Sequence, residues 1–583
     1  MERASIAPPD PVTCPWNQMP NDTLPARTGT LTAVAFWTIL WALALYAIFD
    51  GTASVAMMDP DEGRNGEVAR EMVVRGDYLI PHFNGLPYLD KPVFFFAATA
   101  ASIKALGATE FAARLPSILF TLATVAMVIG FGRRYVDRSS ALLAGLALAT
   151  SPLVLTYSRL VIFDATMMFW VTLAVVAFHI SWKHEGLGWR LLGWAATGFA
   201  VLTKGPVGLV LPLLISVAEG LVCRDRVRRL FHPAGIALFV LVVAPWFFYV
   251  VHHHPEFPHY AFVRETFERV ATDSMRRTGP PWYILAFLVG GSFPWFPALL
   301  LGWRHLVESW RERAAAGRAE VFLMLWILIP LVFFTLSQSK RPGYILPVLP
   351  AVALLAGRIL LKSPAALRYT AATTAVAAAA LGALLLFGSD ELADKVRGDG
   401  IVAALREDGP VLGGIMLAVA LIAAIGIRVK EAAIAGLVLF PVALLVGTQP
   451  MLDEVGKHRS ARALANAIKD VAPGGARVIG VSAFMPSLPF YMQRPTEMAT
   501  HGANGIPSNY IDEYAEALAE RPGSTLHPPT WWQQELETCP EPTVFLVKNG
   551  NEPEQGILAS RLPLIATAPR YSVYGPCTTG GER

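Results

Sequence analysis

At 583 residues, with 54% hydrophobic and only 16% charged residues and a mean hydropathy of +0.45, the chain is too apolar for a soluble enzyme. Its formal net charge of +3 gives no reason to expect nucleic acid; what matters is which loops hold the Lys and Arg. Repeated apolar runs of about 18 to 22 residues, the length that crosses a bilayer core, define an α-helical polytopic membrane protein.

Residues 1–30 are polar and Pro-rich, without an apolar stretch followed by a small-residue cleavage site, so a cytoplasmic tail is expected, with the first helix as the insertion signal. Hydropathy places helices near 31–50, 114–132, 140–157, 164–182, 189–204, 206–222, 233–251, 282–302, 320–337, 344–361, 366–388, 411–427 and 431–449, about 13 crossings. With the amino terminus inside, the inside loops include GRRYVDR (132–138), CRDRVRR (223–229) and 304–318, and all but one carry a basic excess. Val93 to Leu106 is apolar but short and interrupted by Lys104, which predicts a re-entrant or surface-lying helix. Counting it as a crossing would put CRDRVRR outside.

The opposite face then receives 51–113, 158–163, the 204–206 corner, 252–281, 338–343, 389–410 and everything from Pro450. From 450 to 583 the long apolar runs thin out and strand-like stretches appear, ARVIGV (476–481) and TVFLV (543–547), beside a helical 460–471. That pattern predicts a periplasmic α/β domain following a membrane domain over 31–449. Cys14 and Cys223 fall on the cytoplasmic side, whereas Cys539 and Cys577 share the terminal domain, where an oxidising compartment would favour a disulfide. No Cys/His spacing indicates structural zinc.

Most polar chemistry gathers on one face. Asp59, Asp61 and Glu62 follow the first helix, and Arg64, Glu67, Arg70 and Glu71 continue at spacings that fit a short amphipathic helix on the membrane surface. Asp90 and Lys91 close the same loop, and Asp164 opens the helix after Tyr157-Ser158-Arg159. Three segments thus deliver carboxylates to one face beside Arg and Lys. Lys204, ahead of Gly205-Pro206, either snorkels to the interface or has a role in that corner. The histidines of HHHPEFPH (252–259) lack a defined carboxylate partner and read as an exposed loop rather than a metal site.

The stretch DPDEGRNGEVAREMVVRGDYLIPHFNGLPYLDKP (59–92) resembles the first loop of the polyprenyl-phosphate-sugar-dependent GT-C membrane glycosyltransferases, especially the lipid A aminoarabinose transferases, relatives of the protein O-mannosyltransferases. The likeness continues through SRLVIFDATMMFW (158–170), LTKGPVGLVLP (202–212), FVRETFERV (262–270), SQSKRPGYILPVLP (337–350) and SAFMPSLPFYMQRP (482–495).

This resemblance implies an inner-membrane enzyme whose site faces the periplasm and which moves a sugar from a polyprenyl-phosphate carrier to lipid A or another envelope acceptor. Asp61 would be the leading catalytic carboxylate, joined by Asp164, to orient or deprotonate the acceptor. Lys91, Arg64, Arg269, Lys340 and Tyr344 would grip the donor phosphate, with Glu62, Asp90 and Lys204 in support. Tyr344 serves equally as an interfacial aromatic anchor. Where the aminoarabinose transferases show Glu-Lys-Pro this chain has Asp90-Lys91-Pro92, and where they carry a histidine after the glutamate of 262–270 it has Thr266. Both changes remove geometry that zinc needs, so no metal or other cofactor is expected. A flippase for lipid-linked glycans would want ionisable groups at mid-helix, and a non-catalytic assembly protein would tolerate loss of Asp61 and Lys91.

Overall fold

The apolar runs fold as helices, and their ends follow local chemistry. In the computed structural model, which describes residues 27–183, 186–223, 227–268, 279–311, 318–396 and 399–577, the first ten helices are α1 (Arg27–Phe49), α2 (Asp61–Arg75), α3 (Phe94–Leu106), α4 (Glu110–Tyr135), α5 (Arg138–Ala149), α6 (Pro152–Ser158), α7 (Asp164–Lys183), α8 (Leu187–Lys204), α9 (Val207–Val222) and α10 (Pro233–His253). Thr109 caps α4 by accepting from the Ala112 amide at 3.2 Å, and Glu110 opens the helix while Arg133 and Arg134 close it, each sign suited to the helix dipole. Ser151 is extended because Pro152 follows it, so α5 and α6 meet at a 60° bend.

Each of the thirteen expected spans contains helix, but not each is one helix of membrane-crossing length and hydropathy. Nine helices among the described residues are long and apolar enough to cross a membrane, ten if the bent pair α5 and α6 counts as one span. Three places fall short in hydropathy or in length: α8 carries Arg190 and Lys204, α9 has only 16 residues, and 282–302 is broken at Phe293-Pro294 into Tyr283–Gly291 and Pro297–Leu301. α3, with 13 residues, is too short to span.

Lipid tails are as apolar as leucine, so helix association in a bilayer rests on close packing and polar contacts. The alanine-rich helix Pro364–Phe387 packs against Asp399–Ile425 on this principle. Between α7 and α9, His179 and Glu219 are fully buried with Nδ1 and Oε1 2.7 Å apart, a polar tie that sequence reasoning overlooked.

The last part of the chain builds one sheet from β3 (Arg477–Val481), β4 (Glu497–Ala499), β5 (Leu526–His527), β6 (Thr543–Lys548), β7 (Leu564–Thr567) and β8 (Tyr571–Cys577); β1 (His82–Phe83) and β2 (Leu86–Pro87) form a hairpin in the first loop. The order is β5-β4-β3-β6-β8-β7, parallel from β5 to β6 and antiparallel beyond. Alternation sends Val478 and Val544 to one face, against Leu464 and Ile468 of helix Arg462–Val471. Ile479, Val481 and Phe545 point to the other, against Trp532 and Leu536. Cys539 and Cys577 form a disulfide on that second face.

At the amino ends of β3 and β4, Arg477 pairs with Glu497 at 2.6 Å and Glu535 at 2.5 Å. Burial alone would raise the Glu497 carboxyl, but hydrogen bonds from His527 and Arg477 outweigh it and bring it down from 4.5 to about 2. A depressed folded-state value stabilises the native state above the unfolded value, and that stabilisation disappears as pH falls from about 4.5 toward 2. Hydrogen exchange at β3 and β4 is expected to accelerate through that window, with Arg477→Ala showing a much smaller acid response. An identical acid response in the variant would refute the assignment.

The sheet is joined to the first loop along a long seam. Asn84 and Thr496 exchange reciprocal bonds at 2.7 Å, the Met57 amide donates to the Tyr491 hydroxyl at 2.9 Å, and Arg462 donates to the Ser54 carbonyl at 2.8 Å. α2 therefore lies between the membrane helices and the terminal domain rather than on a solvated surface. Its Glu62, Glu67, Arg70 and Glu71 are buried in ion pairs, whereas the charge spacing suggested an amphipathic helix lying on the membrane surface.

Candidate active site

Asp61 is the first residue of α2, and the helix start is anchored from below. Glu62 accepts from Arg114 Nε and Nη2, both at 2.9 Å, and from the Val161 amide at 3.0 Å, while Arg114 also reaches the carbonyls of Thr52, Val55 and Ala56. Glu62 thus fixes the loop 158–163 to the start of α2 and is spent on structure. One residue earlier the chain points outward: Asp61 is 36% exposed, 2.6 Å from Arg64 and 3.8 Å from Arg341. Arg64 also donates to the Pro507 carbonyl at 2.8 Å, so the terminal domain braces it.

Asp59, beneath, accepts from the Ser487 hydroxyl at 2.8 Å. Burial pushes its carboxyl up to about 8, against the downward pull of the Ser487 hydrogen bonds and Arg459. The three acids that open this loop therefore do different work, and of the three Asp61 alone combines exposure with an arginine partner.

Asp164 begins α7, and Lys204 ends α8, with Nζ and Oδ1 2.5 Å apart. Gly205 follows at φ +83°, which a side chain would resist, and turns the chain into α9. The Lys204 ammonium also sits 5.1 Å from the Phe163 ring centre and 4.8 Å from that of Tyr344. Lys204 is thus held by a carboxylate and two rings on the wall of the cavity described below. The loop 339–344 closes tightly over this pair, because a Cβ on Gly343 would stand 2.6 Å from Asp164 Oδ1 and 2.7 Å from Tyr157 Cε1. Gly343→Ala is expected to displace Asp164 from Lys204 and lower stability by about 1–3 kcal/mol. Gly414→Ala, in a helix interior with open space around it, is expected to be neutral or stabilising by up to about 1 kcal/mol. Thermal unfolding of both purified variants checks this; equal midpoints would refute the crowding argument.

Lys91 donates to Glu265 at 2.6 Å and to the Asp90 carbonyl at 2.5 Å. The Asp90 carboxylate turns away and accepts from the Tyr260 hydroxyl at 2.5 Å and the Tyr510 amide at 2.8 Å.

Two adjoining cavities collect these groups. A polar chamber of about 410 Å³ is lined by Asp61, Lys91, Tyr157, Asp164, Lys204, Arg341, Tyr344 and Arg459, among others. Beside it an apolar groove of about 190 Å³ runs between Val207, Val210 and Leu211 of α9, Phe247 of α10, Phe257, Phe262, Phe333 and Phe334. Lys91, Lys204, Gly343 and Tyr344 line both.

Of the residues singled out from sequence, Asp61, Glu62, Lys91, Asp164, Lys204 and Tyr344 meet at the polar chamber. Arg64 stands just behind Asp61, and Asp90 lines the groove with its carboxylate engaged elsewhere. Lys340 bends back to the Ser337 carbonyl at 2.7 Å and is absent from both linings. Arg269 lies outside the described residues. Sequence reasoning passed over Arg341, Arg459 and Arg114; Arg341 stood next to Lys340 in the quoted motif, whereas the other two carry no local signal. The histidine loop is not simply exposed. His254 is buried, its Nδ1 3.2 Å from both Glu256 and the Tyr510 hydroxyl. Among the described residues no three His, Cys, Asp or Glu side chains converge as a metal site would require.

The chain thus combines a multi-span helical body, a cavity lined by charged side chains and an α/β sheet docked beside it. The family model for dolichyl-phosphate-mannose-protein mannosyltransferase matches residues 90–249. The undecaprenyl phosphate-alpha-4-amino-4-deoxy-L-arabinose arabinosyl transferase of Yersinia enterocolitica is 34% identical over 307 residues, 51% of this chain and 54% of the relative. That of Aeromonas hydrophila is 32% identical over 324 residues, 54% and 58%. The chain spans about half the length of the curated relatives it matches. The crystal structure of ArnT from Cupriavidus metallidurans bound to undecaprenyl phosphate superposes with a TM-score of 0.79 and 27% identity over 94% of this chain and 98% of that one. Its apo form gives 0.78 and 26% over 93% and 98%. The chain shares the GT-C fold of the ArnT structures over nearly its whole length, and the curated relatives it resembles over about half of theirs are aminoarabinose transferases.

Proposed function

We propose that the protein is a glycosyltransferase of the inner membrane that moves a sugar from a polyprenyl-phosphate carrier to lipid A or another envelope acceptor at the periplasmic face. One observation carries the reading: the apolar groove and the polar chamber adjoin and share Lys91, Lys204, Gly343 and Tyr344 as lining residues. A lipid-linked sugar needs such a pairing, with hydrocarbon on one side, a charged chamber on the other and cations where the phosphate lies.

The polyprenyl chain would occupy the groove and its phosphate the cationic junction. An acceptor oxygen then attacks the anomeric carbon from the side opposite the phosphate. The new C–O bond forms as the bond from the anomeric carbon to the phosphate oxygen breaks, and polyprenyl phosphate leaves, with inversion. Growing charge on that oxygen is offset by Lys91 and Lys204. Asp61 takes the proton of a hydroxyl acceptor or, with an acceptor that is already an anion, orients it.

The test is mass spectrometry of lipid A and other envelope glycans from cells lacking the protein, complemented with wild type, Asp61→Asn or Lys91→Ala at matched expression. The expected result is one missing sugar restored by wild type alone. Restoration by both variants would overturn the site, and an unchanged glycan profile would overturn the activity.

A further inference from the structure

The wall of the apolar groove nearest the terminal domain is the segment 254–265, which contributes Phe257, Ala261, Phe262 and Glu265. Its polar side chains engage one short helix of the terminal domain, Asn509–Glu513. The Asn509 side-chain amide donates to Glu265 at 2.8 Å, and the same carboxylate holds Lys91 through its other oxygen at 2.6 Å. The Asp90 carboxylate accepts from the backbone amides of Asn509 at 3.2 Å and Tyr510 at 2.8 Å while also accepting from Tyr260. The Tyr510 hydroxyl donates to Glu256 at 2.5 Å, and Arg264 pairs with Glu513 at 2.6 Å.

The segment beside the groove and the loop end that carries Lys91 are thus tied to the same short helix, each through a carboxylate. We propose that helix Asn509–Glu513 is a latch which sets the position of Lys91 and holds 254–265 as the groove wall, with Asn509 and Asp90 as positioning residues. The inference rests on the transferase reading for what Lys91 binds. A lysine binds phosphate as a point charge on a flexible four-carbon stem and loses rotamer freedom in doing so, so fixing its direction beforehand lowers that cost, and hydrogen bonds to charged groups are among the stronger ones available for the purpose. Asn509 holds Glu265 in place, so that an arriving phosphate meets Lys91 in a fixed direction and does not have to drag the carboxylate with it.

The full-length protein in lipid nanodiscs provides the test, with hydrogen exchange of residues 254–265 and binding of a polyprenyl phosphate as separate readouts. Asn509→Ala is expected to accelerate exchange in 254–265 and to weaken carrier binding about tenfold, equivalent to about 1.4 kcal/mol. Because Asn509 acts through Lys91, the double variant Asn509→Ala/Lys91→Ala should bind no more weakly than Lys91→Ala alone, a non-additivity that a merely structural role would not produce. Asp90→Asn, which keeps one acceptor oxygen, should give the same pattern in milder form and serves if Asn509→Ala fails to fold. Unchanged exchange in 254–265, or losses that add in the double variant, would overturn the latch. If the wild-type protein binds no polyprenyl phosphate, the transferase reading falls instead, and the exchange comparison decides the latch alone.

Discussion

Asp61→Asn is expected to slow transfer by about 10²–10⁴-fold, the range for loss of a positioned acid or base, while the protein folds as before. The reason lies in how unlike its neighbours Asp61 is. The Asp59 carboxylate is held by the Ser487 hydroxyl, and Glu62 is engaged by Arg114 and the Val161 amide, so replacing either disturbs the scaffold. Asp61 faces the chamber at 36% exposure, with Arg64 at 2.6 Å, and an amide fits the same space. Loss of a solvent-accessible ion pair of this kind costs about 0–1 kcal/mol of stability. Single-turnover transfer from a polyprenyl-phosphate sugar, beside a thermal unfolding curve, separates the two effects. A rate within threefold of wild type would remove Asp61 from the chemistry. A loss at the lower end of the range would favour orientation of an anionic acceptor over proton removal.

Arg114→Ala is expected to produce the largest loss of stability, about 3–5 kcal/mol, the usual consequence of leaving one member of a buried ion pair without its partner. Arg114 is only 2% exposed, and it serves Glu62 and three backbone carbonyls at once. Lysine cannot reproduce that planar fork, so Arg114→Lys should recover little. Removing Glu62 as well should cost less than the sum of the single losses, because the stranded charge goes with it. Denaturation in detergent at matched protein concentration reads this directly; strict additivity would mean the pair is not coupled. The Arg114→Ala protein should also lose activity, since the register of Asp61 depends on the same anchor.

The membrane architecture was legible because length and hydropathy are local properties, and a helix needs no partner to announce itself. Where the length and hydropathy rule strained, α8 and α9 contribute Lys204, Val207, Val210 and Leu211 to the groove, and Tyr283–Gly291 packs against the segment 342–348. The arrangement of Asp61 with Arg64 could be anticipated from their i, i+3 spacing on one helix. What stayed hidden depends on distant partners. Arg114 finds Glu62 52 residues back, His254 finds Tyr510 256 residues on, and Arg459 comes to the chamber only because the terminal domain docks beside α2. Charge spacing alone could not distinguish a solvated helix from one buried in ion pairs, because both show the same pattern of signs.

The seam between the first loop and the sheet also bears on biosynthesis. Met57 waits for Tyr491, 434 residues later, and Arg64 for Pro507, 443 residues later. The parts that emerge first from the ribosome are therefore held by parts that emerge near the end. A nascent chain halted before Pro507 carries Asp61 on a helix that lacks this brace, which forms only once the last part of the chain has been made and has docked against the first loop.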